Sequence, residues 1–194
     1  MMNKSLVATA LFIIAAGAGL SPSDYGKMPT ERDLGSPLIG GSFTMISHDS
    51  SVVTSADLAG RPSLVVFGYT RCSHFCSVAL SEISAVFNEL RSDKKVAALF
   101  VTVDPEQDTP AVLKAYLENF DSRIIGLTGD PQKTAAIAKA FGGYANKVTD
   151  EGTGDYWVGH SGDVYLLDKR GRFVGAFDLE RPPQEAAREL ESYL

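Results

Sequence analysis

The 194-residue chain has two cysteines, Cys72 and Cys76, four positions apart in the stretch FGYTRCSHFC (67–76). Residues i and i+4 share a helix face, so even a loosely helical 72–76 segment aims both sulfurs the same way. Three chemistries use such a pair. A structural disulfide is the weakest, because closing so short a loop removes little entropy from the unfolded chain. A redox dithiol suits the position, since Arg71 and an adjoining helix N-terminus both favour the attacking thiolate. A metal site uses the same thiolates and needs at least one further donor.

The chain holds three histidines, His48, His74 and His160. His74 stands between the cysteines, which on a helix sends it to another face, and His48 falls in a hairpin turn. Both read as solvated polar side chains. His160 ends a polar loop just before the apolar run DVYLL (163–167), where the chain re-enters a sheet, and is the histidine expected to approach the thiols. Two thiolates and one imidazole fall short of the four protein ligands of a structural zinc site. Copper suits them better, because Cu(I) accepts thiolates at low coordination number and Cu(II) gains from the added nitrogen.

These residues need elements to position them. SLVVF (63–67) is a continuous apolar, β-branched run, hence a buried central strand that delivers the chain to the cysteines. Ala79, Leu80, Ile83, Val86, Phe87 and Leu90 recur at three and four, which predicts a helix beginning near Cys76. AALFVTV (97–103) predicts a second buried strand ending at Asp104-Pro105. Thr109-Pro110 and Asp130-Pro131 are helix starts with proline at the first helical position, and Ile124–Leu127 is a short strand between those helices. The second of the two ends at Gly142-Gly143. Ahead of all this, GGSFTMISHDSSVVT (40–54) reads as an N-terminal β-hairpin; residues 146–157 read as a loop, and 163–177 as a hairpin followed by an amphipathic helix from Pro182. Alternating strands and helices closed by an antiparallel hairpin imply a three-layer α/β/α domain around a mixed sheet. In such sheets reactive groups collect outside the carboxyl ends of the strands, where Cys72 falls.

Composition narrows the setting. Hydrophobic residues at 44% and charged residues at 22% are ordinary for a globular chain. Residues 1–20 carry Lys4, an apolar run and the small residues Ala16-Gly17-Ala18, the pattern of a signal peptide or, uncleaved, an N-terminal anchor. The first arginine is Arg32, which disfavours a mitochondrial presequence and favours the periplasm, with the domain either soluble or tethered to the inner membrane. Residues 21–37, rich in Ser, Pro, Gly and charge, read as a tether, and 38–194 as the folded domain. Without the first twenty residues, 17 basic face 24 acidic side chains, which argues against nucleic acid as a partner. An oxidising compartment also permits the two thiols to cycle with a disulfide.

FGYTRCSHFC, VTVDPEQDTP (101–110) and GHSGDVYLLDKRGRFVGAFD (159–178) together resemble the Sco/SenC family, thioredoxin-fold copper chaperones that assemble the copper A centre of cytochrome c oxidase. The resemblance implies a thioredoxin-like fold, copper bound as Cu(I) or Cu(II) by Cys72, Cys76 and His160, and delivery to the copper A subunit or another periplasmic copper protein. It also implies reduction of the receiving cysteines, with a thiol reductant as a second partner. Asp104 matches an acidic position that the family keeps beside the site. The family usually carries Pro after each cysteine and Asp between them; Ser73, His74 and Ser77 stand there in this chain, and His74 becomes a candidate neighbour of the metal. The alternative to a chaperone is a periplasmic thiol:disulfide oxidoreductase in which Cys72 attacks and Cys76 resolves.

Overall fold

The computed structural model describes residues 41–72, 75–90 and 95–194. The readings of residues 1–20 and 21–37, and of His74, lie outside them. Two short strands, β1 (Thr44–Ser47) and β2 (Val52–Thr54), form the N-terminal hairpin, with Ser50 at φ 63° in its turn. The strand β3 (Ser63–Gly68) is buried at every position and leads to the helix α1 (Phe75–Glu89), whose Ala79, Leu80, Ile83, Val86 and Phe87 are buried as their spacing predicts. Next come β4 (Ala97–Thr102), α2 (Pro110–Leu117), β5 (Ile124–Thr128) and α3 (Pro131–Ala140).

Both helix starts are capped as expected. The Thr109 hydroxyl accepts the N–H of Val112, and the Asp130 carboxylate accepts those of Gln132 and Lys133. Helix α3 stops at Gly142, whose φ of +73° a side chain would disfavour. The chain closes with β8 (Val164–Leu167), β9 (Phe173–Ala176) and α4 (Pro183–Glu191).

Seven strands make one mixed sheet in the order β2-β1-β5-β4-β3-β8-β9, with β3, β4 and β5 parallel. Successive side chains of a strand face opposite sides. Leu64 and Val66 of β3, with Ala98 and Phe100 of β4, therefore pack against α1, α2 and α4, while Val65, Phe67, Leu99 and Val101 pack against Ile137, Ala138 and Phe141 on the α3 side. Three layers result, the expected architecture. Because β3 and β4 run in parallel, their carboxyl ends share one edge, and the segments holding Cys72 and Asp104 emerge side by side there.

One expectation is corrected. Residues 146–157 are not a loop: Ala145–Thr149 (β6) and Tyr156–His160 (β7) pair antiparallel as a separate two-stranded ribbon, so His160 ends a strand. Only the turn between them is irregular. Most of β6 is exposed, which deprives it of the apolar alternation that marks a half-buried strand.

Candidate metal centre

Past Gly68 the chain tightens, the Cys72 N–H donating to the Tyr69 carbonyl at 3.1 Å. Cys72 is left half-buried at the rim, and Cys76, in the first turn of α1, points into the core with no exposed surface. Both are free thiols. Gly68 is required here: a Cβ on it would stand 2.7 Å from the Cys76 sulfur and 2.6 Å from the Phe100 ring. Burial pushes the Cys76 thiol pKa up, and its hydrogen bond with Cys72 adds to the rise; a backbone hydrogen bond from Tyr69 opposes them.

His160 arrives from the ribbon. Its Nε2 lies 3.7 Å from the Cys76 sulfur, and its Nδ1 lies 2.9 Å from the carbonyl oxygen of Ser161. A carbonyl only accepts, so in the neutral ring Nδ1 carries the proton and Nε2 turns a lone pair toward the sulfurs. The ring is walled by Tyr69, edge-on with centroids 5.9 Å apart, and by Phe75 at 6.3 Å. The donor atoms of Cys72, Cys76 and His160 all lie within 4.8 Å of one another. Cys72 and His160 open on a cleft of about 410 Å³ that Trp157 and Gly162 also line, with Cys76 buried behind them. Two sulfurs and one nitrogen are a soft donor set, matched to a soft or borderline cation.

The other sequence candidates sort differently. Asp104 is buried and is not one of the clustered donors; it accepts Arg71 Nη2 at 3.2 Å and the Tyr156 hydroxyl at 2.8 Å. His48 does not stand in solvent as its turn suggests. Its ring Nδ1 accepts the N–H of Gly126 at 3.1 Å, and its own N–H donates to the Gly126 carbonyl at 2.8 Å, which extends the β1–β5 ladder.

Two residues were not singled out as functional from the sequence. Asp108 is wholly buried and takes hydrogen bonds from the Thr70 hydroxyl, the Thr102 hydroxyl and the Thr70 N–H, which ties the cysteine loop to the end of β4. Tyr69 is buried and uses its hydroxyl, which accepts the Val158 N–H at 3.3 Å and ties the same loop to the ribbon. A polar residue inside VTVDPEQDTP was the only signal for the first; nothing local marks the second.

A mixed sheet between helix layers, with a dithiol beyond the inner strand β3 and an imidazole facing it, defines a thioredoxin-like protein with a site able to hold one metal ion. The chain belongs to the SCO1/SenC family, whose model matches residues 31–194. It is 37% identical over 165 residues to Protein sco1 of Schizosaccharomyces pombe and 38% identical over 156 residues to Protein SCO1 homolog 2, mitochondrial, of Arabidopsis thaliana. Those matches cover 82% and 79% of this chain but 62% and 56% of the relatives, under two thirds of either length. Among solved structures, Bradyrhizobium japonicum ScoI with copper bound is 44% identical and superposes with a TM-score of 0.77, covering 80% of this chain and 99% of that one.

Proposed function

We propose that the chain is a copper metallochaperone that holds one copper ion on Cys72, Cys76 and His160 and passes it to the copper A site of cytochrome c oxidase. The observation that carries this reading is the meeting of three soft donor atoms within 4.8 Å of one another, from segments 84 residues apart. A three-donor shell leaves copper room for a ligand from the recipient, which is what transfer requires. Similarity to a copper-bound relative supports the choice of metal. Asp104 supports the site indirectly, through Arg71 beside Cys72.

Residues 1–20 act in this reading as a signal peptide or uncleaved anchor, 21–37 as a tether, and 38–194 as the copper-binding domain in the periplasm. No helix among the described residues is long and apolar enough to cross a membrane. The recipient is the copper A subunit or another periplasmic copper protein, and a thiol reductant keeps the dithiol open.

The unequal burial of the two thiols favours a second activity, reduction of a partner disulfide. The Cys72 thiolate attacks one partner sulfur and releases the other as a thiolate. Cys76 then attacks Cys72 and frees the second partner thiol, so two electrons pass to the partner and the Cys72–Cys76 disulfide remains.

An anaerobic copper titration of the reduced protein tests the main reading. One copper should bind per chain; Cys72→Ala and Cys76→Ala should abolish tight Cu(I) binding, and His160→Ala should remove tight Cu(II) binding. If all three variants bind as the parent does, the assignment is wrong.

A further inference from the structure

We propose that Tyr156 is a positioning residue for copper: it pins the β6–β7 ribbon against the end of β4 and so holds the His160 imidazole over the two sulfurs. This inference rests on the reading of Cys72, Cys76 and His160 as copper ligands. The ribbon forms its own two-stranded sheet and shares no ladder with the seven-stranded one. Beyond the chain that enters and leaves it, its place is therefore set by contacts that involve side chains.

Tyr156 supplies several of these contacts at the end of β7 away from His160. Its hydroxyl donates to both carboxylate oxygens of Asp104, at 2.8 and 3.1 Å. Asp104 is only 4% exposed, and its own N–H donates to the Thr102 hydroxyl at 3.0 Å, so the acceptor is fixed to the main sheet. The phenol ring carries the Arg71 guanidinium at 4.5 Å from its centroid and the Lys147 ammonium at 3.8 Å, both attracted to the electron-rich ring face. Arg71 also donates to Asp104 and is the chain neighbour of Cys72. One side chain thus joins the ribbon, the end of β4 and the cysteine loop. The ribbon is also tied by the Tyr69–Val158 hydrogen bond, by the exposed Lys147–Glu106 ion pair and by the contacts of His160 itself with Cys76, Tyr69 and Phe75.

Tyr156 begins β7 and His160 ends it, and every residue between is paired with β6 from Thr149↔Tyr156 to Ala145↔His160. A displacement at one end of so short a paired strand is carried to the other. Cu(I) is satisfied by two thiolates, whereas Cu(II) depends on the nitrogen. Loosening Tyr156 therefore weakens Cu(II) binding selectively, and a site that loses affinity for Cu(II) alone has a higher copper reduction potential.

The test is a double-mutant cycle on the reduced full chain, with Tyr156→Leu, His160→Ala and their combination, read by anaerobic Cu(I) and Cu(II) titrations and the potential of the bound copper. Tyr156→Leu should weaken Cu(II) about 10- to 100-fold, the usual cost of losing a residue that orients a metal ligand. It should keep the parent Cu(I) affinity, and an unchanged near-UV circular dichroism spectrum should show that the variant is folded. Tyr156→Phe, which keeps the ring between its cations, should lose less. In the His160→Ala background Tyr156→Leu should add no further loss. Parent-like Cu(II) affinity in Tyr156→Leu, or a full additive loss alongside His160→Ala, overturns the inference. Parent-like Cu(II) binding by His160→Ala instead removes the ligand assignment beneath it.

Discussion

The sulfur of Cys76 occupies the space in which a Cβ on Gly68 would stand, 2.7 Å from it. The last residue of β3 is thus shaped around a sulfur of the proposed copper site. Gly68→Ala forces either that sulfur or the Phe100 ring to move. Overpacking of this kind costs about 1–3 kcal/mol. A lower midpoint in urea, with weaker Cu(I) binding in the folded variant, is the expected pair of results; a parent-like protein on both counts would show that the core yields freely here.

The two thiols should differ in reactivity. Cys72 is half-buried, while Cys76 is enclosed and its pKa is raised by burial and by its bond to Cys72. A raised thiol pKa leaves less thiolate at any given pH, so burial and basicity both slow the reaction of Cys76 with reagents from solution. Timed iodoacetamide labelling at neutral pH, followed by peptide mass spectrometry, should modify Cys72 first. Earlier labelling of Cys76 would contradict this.

Oxidation should close the site. A Cys72–Cys76 disulfide offers no thiolates, so the oxidised protein should take up no copper until a reductant is added. Equal uptake by both forms, measured by metal analysis after desalting, would rule out the dithiol as the copper site.

Tyr116 carries a buried hydroxyl with no hydrogen-bond partner among the described residues, its ring packed between Phe100 at 5.8 Å and Phe120 at 5.5 Å. An unsatisfied buried polar group costs about 1–3 kcal/mol. Tyr116→Phe keeps the ring and removes the cost, so calorimetry should find the apo protein melting higher. A lower melting temperature would reveal a partner for the hydroxyl.

Asp121 accepts Arg123 Nε at 2.8 Å and Nη2 at 2.7 Å, and this side-chain hydrogen bonding, ahead of the Arg123 backbone N–H, holds its carboxyl below the ordinary aspartate value. A folded pKa below the unfolded one means the contribution is complete above the ordinary value and is lost as pH falls through the depressed one. Asp121→Asn should therefore destabilise the protein at pH 7 and make no difference in strong acid, as compared by urea unfolding at both. A deficit independent of pH would assign the effect to packing.

Most of this fold was legible because its elements carry their own punctuation. SLVVF and AALFVTV are unbroken apolar runs, and Thr109-Pro110 and Asp130-Pro131 announce their helices. The three donors were legible for a similar reason: with two cysteines and three histidines, few combinations exist. The ribbon was not. Lys147, Val148 and Thr149 are exposed, so β6 lacks the alternation that marks a strand with one buried face. The hydrogen bonds that place the site were equally hidden, since Thr70 meets Asp108 across 38 positions and Tyr69 meets Val158 across 89. His48 misled for the opposite reason: a hairpin turn is usually wet, but this one is docked on β5.

The 84 positions between Cys76 and His160 also impose an order of events. A polypeptide leaves the ribosome amino end first. The sulfur pair therefore emerges well before the imidazole that will face it. For that interval the newborn chain carries its sulfur pair without the third donor, and the arrival of the ribbon is the moment at which the set is completed.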